Sequence, residues 1–291
     1  MMPMTGYERR AATMADVPAI HELVAACERE LFGQVRTDAD RIAADLGRAG
    51  LDPAQDTLLV FAGATLVARA WADRRSEADV HPGHRGRGLG TQLLEWIEQR
   101  ARTRVSQTVP GEDTAAVALL RSRGWTPMVE SWQLGIDLPG LPEVPEPPAG
   151  VTVRCFRGGD ELATYELIQD AFDEWQQRRP PYAEWAAHTI GRSVFAPGLS
   201  PLAWHGDQLV GAALTTADAM VDELGVHRGF RRRGLARLLL RHTFRAAYEQ
   251  GLRSCSLWTH SDTGALAVYQ RVGMSVQRTA TVFVMPPGRP G

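Results

Sequence analysis

The stretch Val80-His-Pro-Gly-His-Arg-Gly-Arg-Gly-Leu-Gly90 aligns without a gap on Val226-His-Arg-Gly-Phe-Arg-Arg-Arg-Gly-Leu-Ala236, about half a chain further on. A repeat at that distance means two copies of a domain rather than a solenoid, whose units are far shorter. Weaker echoes run at slightly different offsets. Asp16 and Asp160 each stand before an apolar helical pattern, and Arg123-Gly124-Trp125 is echoed by Val272-Gly273-Met274. The 291 residues suffice for two domains of ordinary size, each with its own core. Five prolines lie from Pro139 to Pro148, a density that sustains neither a helix nor a central strand and reads as a stiff, extended connector. The expected division is a first domain over 1–136, a connector over 137–150 and a second domain over 151–291.

Both halves read alike. A short opening strand, 152–154 in the second, leads into amphipathic helices with Asp16 and Asp160 at the N-cap positions. A hairpin follows, 57–62 into 66–72 and 202–204 into 209–215, then a strand ending at Val80 or Val226. A turn rich in glycine and arginine opens a long helix, 89–102 or 235–249. The second half continues with a strand over 254–259, a helix over 264–272 stopped by Gly273, and a last strand over 276–284.

The turn is the informative element. An arginine, then two small residues at fixed spacing, stand between a strand and a helix: Arg85-x-x-Gly88-x-Gly90 and Arg231-x-x-Gly234-x-Ala236. A helix N-terminus offers unpaired N–H groups and the positive end of the helix dipole, which together hold an anion such as a pyrophosphate. Small residues let phosphate approach the backbone, and Arg85, Arg87, Arg231, Arg232 and Arg233 add charge. One such turn is an ordinary solvated helix start, but two after the same strand order favour an anion site. A P-loop is excluded because every one of the 32 basic residues is arginine. A dinucleotide turn is disfavoured because a hairpin precedes this one.

Charge and cysteine usage set the surroundings. A net charge of −2 exerts no global pull on nucleic acid or acidic membranes. Cys27, Cys155 and Cys255 are scattered and form no C-x-x-C pair, which argues against a disulfide framework or a metal site and for a reducing cytoplasm. The first ten residues lack the apolar core of a signal peptide, and no apolar run approaches bilayer length.

V-x-x-x-x-R-x-x-G-x-G/A behind a β-hairpin is similar to the coenzyme A motif of the GNAT acetyltransferase superfamily. In the second half, Asp262-Thr-Gly-Ala-Leu-Ala-Val-Tyr-Gln-Arg-Val-Gly-Met274 resembles that family's N-x-x-A-x-x-x-Y-x-x-x-G-F/M, with Asp262 in the Asn position. The likeness covers nearly the whole chain, twice, and the tandem arrangement resembles mycothiol synthase-like proteins. It implies an α/β (α+β) fold of two tandem GNAT-type domains, each a mixed, mostly antiparallel sheet flanked by helices. It also implies acetyl-CoA as donor, a small-molecule amine as acceptor, no metal, no nucleic-acid or membrane partner, and a monomer or homodimer. Cofactor-binding candidates are Val80, Arg85, Gly86, Arg87, Gly88, Leu89 and Gly90 in one half. In the other they are Gly225, Val226, Arg231, Arg232, Arg233, Gly234, Leu235 and Ala236.

In that family an amine attacks the thioester directly, in a gap between two splayed parallel strands. The reaction needs a base, an oxyanion donor and an acid for the thiolate. The resemblance gives Tyr269 the place of the acid and a backbone N–H near Gly225 or Val226 that of the oxyanion donor. Asp222 and Glu223 are the candidate bases. Alternation along a strand lets only one point into the cleft, and Asp222, in step with Val226, is slightly favoured. Read without the flanking motif, Tyr269 is a core aromatic and the two carboxylates are edge-strand charges. The histidines His81 and His227 recur at matching positions and receive no role.

The first half departs from the pattern. Leu120 falls where Tyr269 stands, and the strand before Val80 offers Ser76 and Glu77. That half is expected to have lost catalysis while holding CoA or serving as structure. Asp173, Glu174 and Glu184 stand where the acceptor is usually covered and suit a cationic amine; Phe172, Trp175 and Trp185 read equally as packing. The expected activity is acetyl-CoA-dependent N-acetylation of a small molecule. The alternatives are a non-catalytic acyl-CoA-binding regulator or scaffold, a protein N-acetyltransferase, and a nucleic-acid binder using Arg228 to Arg241, which the balanced charge disfavours.

Overall fold

Residues 6–48, 50–73, 75–101, 104–173 and 179–285 are described in this computed structural model. The first half runs β1 (Glu8–Arg10), α1 (Val17–Phe32), α2 (Ala39–Leu46), a single-turn α3 (Pro53–Asp56), β2 (Thr57–Ala62), β3 (Thr65–Trp71), β4 (Glu77–Val80), α4 (Leu89–Arg100), β5 (Ser106–Pro110), α5 (Thr114–Ser122) and β6 (Thr126–Asp137). The second runs β7 (Val151–Cys155), α6 (Glu161–Phe172), α7 (Tyr182–His188), β8 (Pro201–His205), β9 (Gln208–Thr215), β10 (Met220–Val226), α8 (Leu235–Glu249), β11 (Ser254–His260), α9 (Leu266–Arg271) and β12 (Ser275–Val284). No described helix is long and apolar enough to cross a membrane.

Helical spacing of apolar residues places the long helices. Ile20, Leu23, Val24 and Cys27 give α1 one buried face, and Leu235, Leu238, Leu239 and Phe244 give α8 another. Phe244 is fully buried, so its truncation to alanine costs about 3–5 kcal/mol. Asp16 and Asp160 do stand at the N-caps of α1 and α6, but neither side chain caps its helix. Each carboxylate turns back, accepting an N–H from Thr13 or Arg157 at 2.8 Å. Each also grips a guanidinium through two bonds, Arg10 at 2.7 and 2.5 Å and Arg154 at 2.6 and 2.7 Å. Helix α4 ends at Arg100, two residues short of the expectation, and Arg102 lies outside the described residues.

The chain forms two compact units, Met1–Glu130 with Ala280–Gly291, and Ser131–Thr279. This grouping differs from a cut at the proline-rich connector, because each half's last strand sits with the other half's elements. In the first unit β1–β4 pair in sequence, all antiparallel, and β5 pairs with residues 280–284 of β12. In the second, β7, β8, β9 and β10 pair antiparallel in sequence. There β10 runs parallel to β11, and β11 pairs antiparallel with residues 131–137 of β6. The sheets are mostly antiparallel, as the family resemblance implies, with the parallel strand pair β10–β11 in the second unit. Each unit has two apolar clusters. In the second, one lies under α8 and α9 and includes Leu134, Val210, Leu239, Phe244 and Leu257. The other lies under α6 and α7 and includes Leu167, Ile168, Trp185, Ala212 and Leu214.

Candidate active site

Strands β10 and β11 pair only briefly. Their register comprises Met220↔Ser256 and Val221↔Leu257. Beyond it, among the described residues, 223–226 pair with β9 and 258–260 with β6. Two parallel strands that part after two residues leave a gap whose walls are backbone. Gly225 and Val226 lie on its β10 side. Glycine is required at 225 because a Cβ there would stand 2.8 Å from Ile168 Cδ1 and 3.2 Å from Ala171 Cβ on α6. The first unit parts in the same place, with one parallel bridge, Arg75↔Ser106, before β4 and β5 diverge.

The turn after each strand is built alike. His227 Nδ1 accepts the Gly229 N–H at 3.2 Å, as His81 Nδ1 accepts that of Gly83 at 3.1 Å, so the recurring histidines shape the turn. Gly234 and Gly88 cap the next helix with φ of +84° and +80°, a conformation β-carbons disfavour. Arg232 adopts φ of +63° where the first unit has Gly86 at +72°. Arg231 and Arg85, expected beside the phosphates, also bind the protein itself. Arg231 donates to the carbonyls of Val226 at 3.4 Å and Ala171 at 3.1 Å. Arg85 donates to Val80 O at 3.3 Å and pairs with Glu30 at 2.6 Å. A guanidinium can lace strand, turn and helix together because it carries five donors. Arg232, Arg233 and Arg87 remain exposed beside the helix starts.

The two candidate bases have different surroundings. The β9 register jumps between Val221 and Glu223, leaving Asp222 as the extra residue of a bulge. Parity counted back from Val226 therefore fails at Asp222. Its Oδ2 accepts from Arg192 Nη1 at 2.8 Å, and the Arg192 side chain is 5% exposed. Glu223 Oε2 instead accepts from the Trp185 indole at 3.0 Å. Desolvation lifts the Glu223 carboxyl to about 7; the indole bond opposes that rise and the Asp222 charge adds to it.

Tyr269 lies on α9 within the cluster under α8, against which Leu224 and Val226 pack. Burial pushes its phenol up to about 12, countered in part by a hydrogen bond with Thr259. Glu223, bonded to Trp185 under α6 and α7, and Tyr269, in the cluster under α8 and α9, thus lie on opposite faces of the sheet. Asp173 is exposed, while Glu174 and Trp175 lie outside the described residues. The buried Trp185 donates to a carboxylate as well as packing, which nothing in its spacing announces. Arg192 was missed because a lone loop arginine carries no signal.

The first unit lacks this arrangement. Leu120, fully buried on α5, is the counterpart of Tyr269, as the following turns confirm: Trp125 N–H donates to Leu120 O at 3.0 Å and Met274 N–H to Tyr269 O at 3.1 Å. Glu77, three residues before Val80 as Glu223 is before Val226, meets Arg69 Nη2 at 2.6 Å. Arg69 Nε takes Asp79 at 2.7 Å, and the Arg69 side chain is 6% exposed. Register makes Arg69 the equivalent of Ala212. An arginine inside the apolar run Leu66–Trp71 is a sequence mark of such a buried ion pair.

The acetyltransferase (GNAT) family matches residues 19–125 and 162–274. A mycothiol acetyltransferase of Catenulispora acidiphila is 28% identical over 305 residues, covering 94% of this chain and 96% of the relative. One from Streptomyces avermitilis is 30% identical over 249 residues, covering 78% of each. Among solved structures, a GCN5-related N-acetyltransferase from Sphaerobacter thermophilus superposes with a TM-score of 0.72 at 32% identity, covering 99% and 98% of the two chains. A tandem GNAT protein from the clavulanic acid biosynthesis pathway shares the fold with a TM-score of 0.71 at 19% identity, covering 97% and 100%.

Proposed function

The chain belongs to the acetyltransferase (GNAT) family and is an N-acetyltransferase; we propose that its second unit moves acetyl from acetyl-CoA to the amine of a small molecule, with Glu223 as base. The observation that carries this reading is a desolvated carboxylate, hydrogen-bonded by a neutral indole, on the strand that borders the gap. A carboxyl at about 7 is available as base at neutral pH and strong enough to take an amine's proton. Asp222, clamped by a guanidinium, is the poorer candidate.

In this reading the amine nitrogen bonds to the thioester carbon while its proton passes to Glu223, directly or through a water. The oxyanion takes an N–H near Gly225 or Val226. The C–S bond then breaks, its electron pair stays on sulfur, and Tyr269 donates a hydrogen bond to the thiolate. A phenol at about 12 would give its proton to a thiolate of ordinary pKa, about 8.5, only uphill by roughly 5 kcal/mol. Burial therefore favours a hydrogen-bond donor, with solvent supplying the proton afterwards. The CoA pyrophosphate would rest on the N-terminus of α8 beside Arg232 and Arg233.

The relatives' names put the mycothiol precursor first among acceptors to screen, followed by amino sugars, aminoglycoside antibiotics and peptides. For the first unit, Leu120 and the Arg69 ion pairs support a non-catalytic role, as a CoA holder or scaffold. Calorimetric titration with acetyl-CoA, alongside Gly234→Glu and Gly88→Glu, tests the whole reading. Binding lost in Gly234→Glu and thiol release with an amine support it. No binding by the unaltered chain would sink it.

A further inference from the structure

One small element delivers two partners to the acidic pair on β10. Helix α7 carries Trp185, and the turn that ends it carries Arg192. That turn is tightly closed: Gly191 N–H donates to Ala186 O at 2.7 Å, and Arg192 N–H to Thr189 O at 3.3 Å. Trp185 is 3% exposed and held between the rings of Tyr165 and Tyr182, with centroids 5.5 and 6.1 Å away. Thr189 Oγ1 donates to its carbonyl at 2.7 Å. The indole N–H thus has a fixed direction, and it points at Glu223 Oε2. Among the described residues, Oε1 of Glu223 has no hydrogen bond.

Resting on the reading of Glu223 as base, we propose that Trp185 and Arg192 are its positioning residues. The indole pins Oε2 and leaves Oε1 to take the acceptor's proton. The guanidinium keeps the neighbouring Asp222 carboxylate ionised, so the two acids do not share that proton. A carboxylate torsion is otherwise broad, and an uncompensated pair of adjacent acids titrates as a dyad.

Among the described residues, the charged groups beside Glu223 are few. From β10 itself comes Asp222, and from the turn after α7 comes Arg192. Helix α6 and strand β9 contribute the apolar Leu167, Ile168, Ala212 and Leu214 to the cluster around Trp185. Glu166 and Asp170 of α6 are solvent-exposed. On α7, His188 Nδ1 is tied to the Glu184 carbonyl at 2.8 Å.

The indole is also the probe, and it needs no acceptor. In the full chain with isotope-labelled tryptophan, the Trp185 indole resonance, assigned by its loss in Trp185→Phe, should titrate with a midpoint near 7. The titration should vanish in Glu223→Gln. Arg192→Met takes a positive charge away from Asp222 and should raise the midpoint by about one pH unit, with Arg192→Lys restoring it. Asp222→Asn, which keeps the turn should Arg192→Met fail to fold, should lower it. A flat indole signal from about pH 5 to about pH 9, or a midpoint that neither folded variant moves, overturns the proposal. With an acceptor in hand, Trp185→Phe should move the acidic limb of kcat/KM up by about one pH unit, since the bond favours the charged form. A limb unchanged in Glu223→Gln removes the base reading itself. A limb abolished there but unmoved in Trp185→Phe defeats the positioning alone.

Discussion

Glu77 and Glu223 occupy matching places on matching strands, yet one faces a buried guanidinium and the other an indole. An ion pair fixes a carboxylate in its charged form, whereas a single neutral donor in dry surroundings leaves it able to take up a proton near neutrality. Around them the duplicated framework is conserved in kind. Arg10 and Arg154 each grip an aspartate and stack on an aromatic ring, Phe61 at 4.7 Å and Trp204 at 4.9 Å. Arg85 and Arg231 each lace strand to turn. The copies have kept what holds the turn before α4 and α8 and exchanged what would do chemistry in the proposed reading: Tyr269 against Leu120, Ala212 against Arg69.

That contrast can be broken most directly with paired substitutions. Glu223→Gln should lower kcat/KM by about 10²–10⁴, while Glu77→Gln leaves it unchanged; equal losses in steady-state acetyl transfer would erase the distinction. Arg69→Met strands Glu77 and Asp79 beside each other and should destabilise the first unit by about 3–5 kcal/mol, read by denaturant melts. The matching Ala212 has no charge to lose. Tyr269→Phe should slow turnover about tenfold to a hundredfold with acetyl-CoA affinity intact by calorimetry, and Leu120→Tyr should add nothing. The kcat/KM of the unaltered enzyme should fall as pH drops through about 7, where Glu223 gains its proton. Asp16→Asn and Asp160→Asn should each cost about 1 kcal/mol, a few degrees of melting temperature, because both halves open with the same arginine–aspartate clamp. Asp16, held down to about 2 by Arg10, stabilises the fold above the ordinary carboxylate range and loses that contribution as pH falls toward 2.

Much of this was legible from residues. The two turns named their own helices, and α8 begins and ends where its apolar spacing says. The hairpins fell within a residue or two, because apolar runs flanked by glycine are local signals. The flanking motif singles out Tyr269, and its proposed role rests on that motif. The ranking of Asp222 over Glu223 rests on strand parity, which the β-bulge at Asp222 breaks without any mark in the sequence. The partners that separate the two acids lie about 30 to 40 positions upstream, at Trp185 and Arg192, and only folding brings them together. The exchanged last strands were invisible for a similar reason: β6 and β12 each pair well with either fifth strand by pattern alone.

That exchange sets a schedule for the nascent chain. Residues 106–110 leave the ribosome well before their partner strand, residues 280–284. The first unit cannot close its sheet while residues 111–279 are still being made, so its β5 edge waits through that interval as an unpaired strand, exposed to chaperones and to wrong partners.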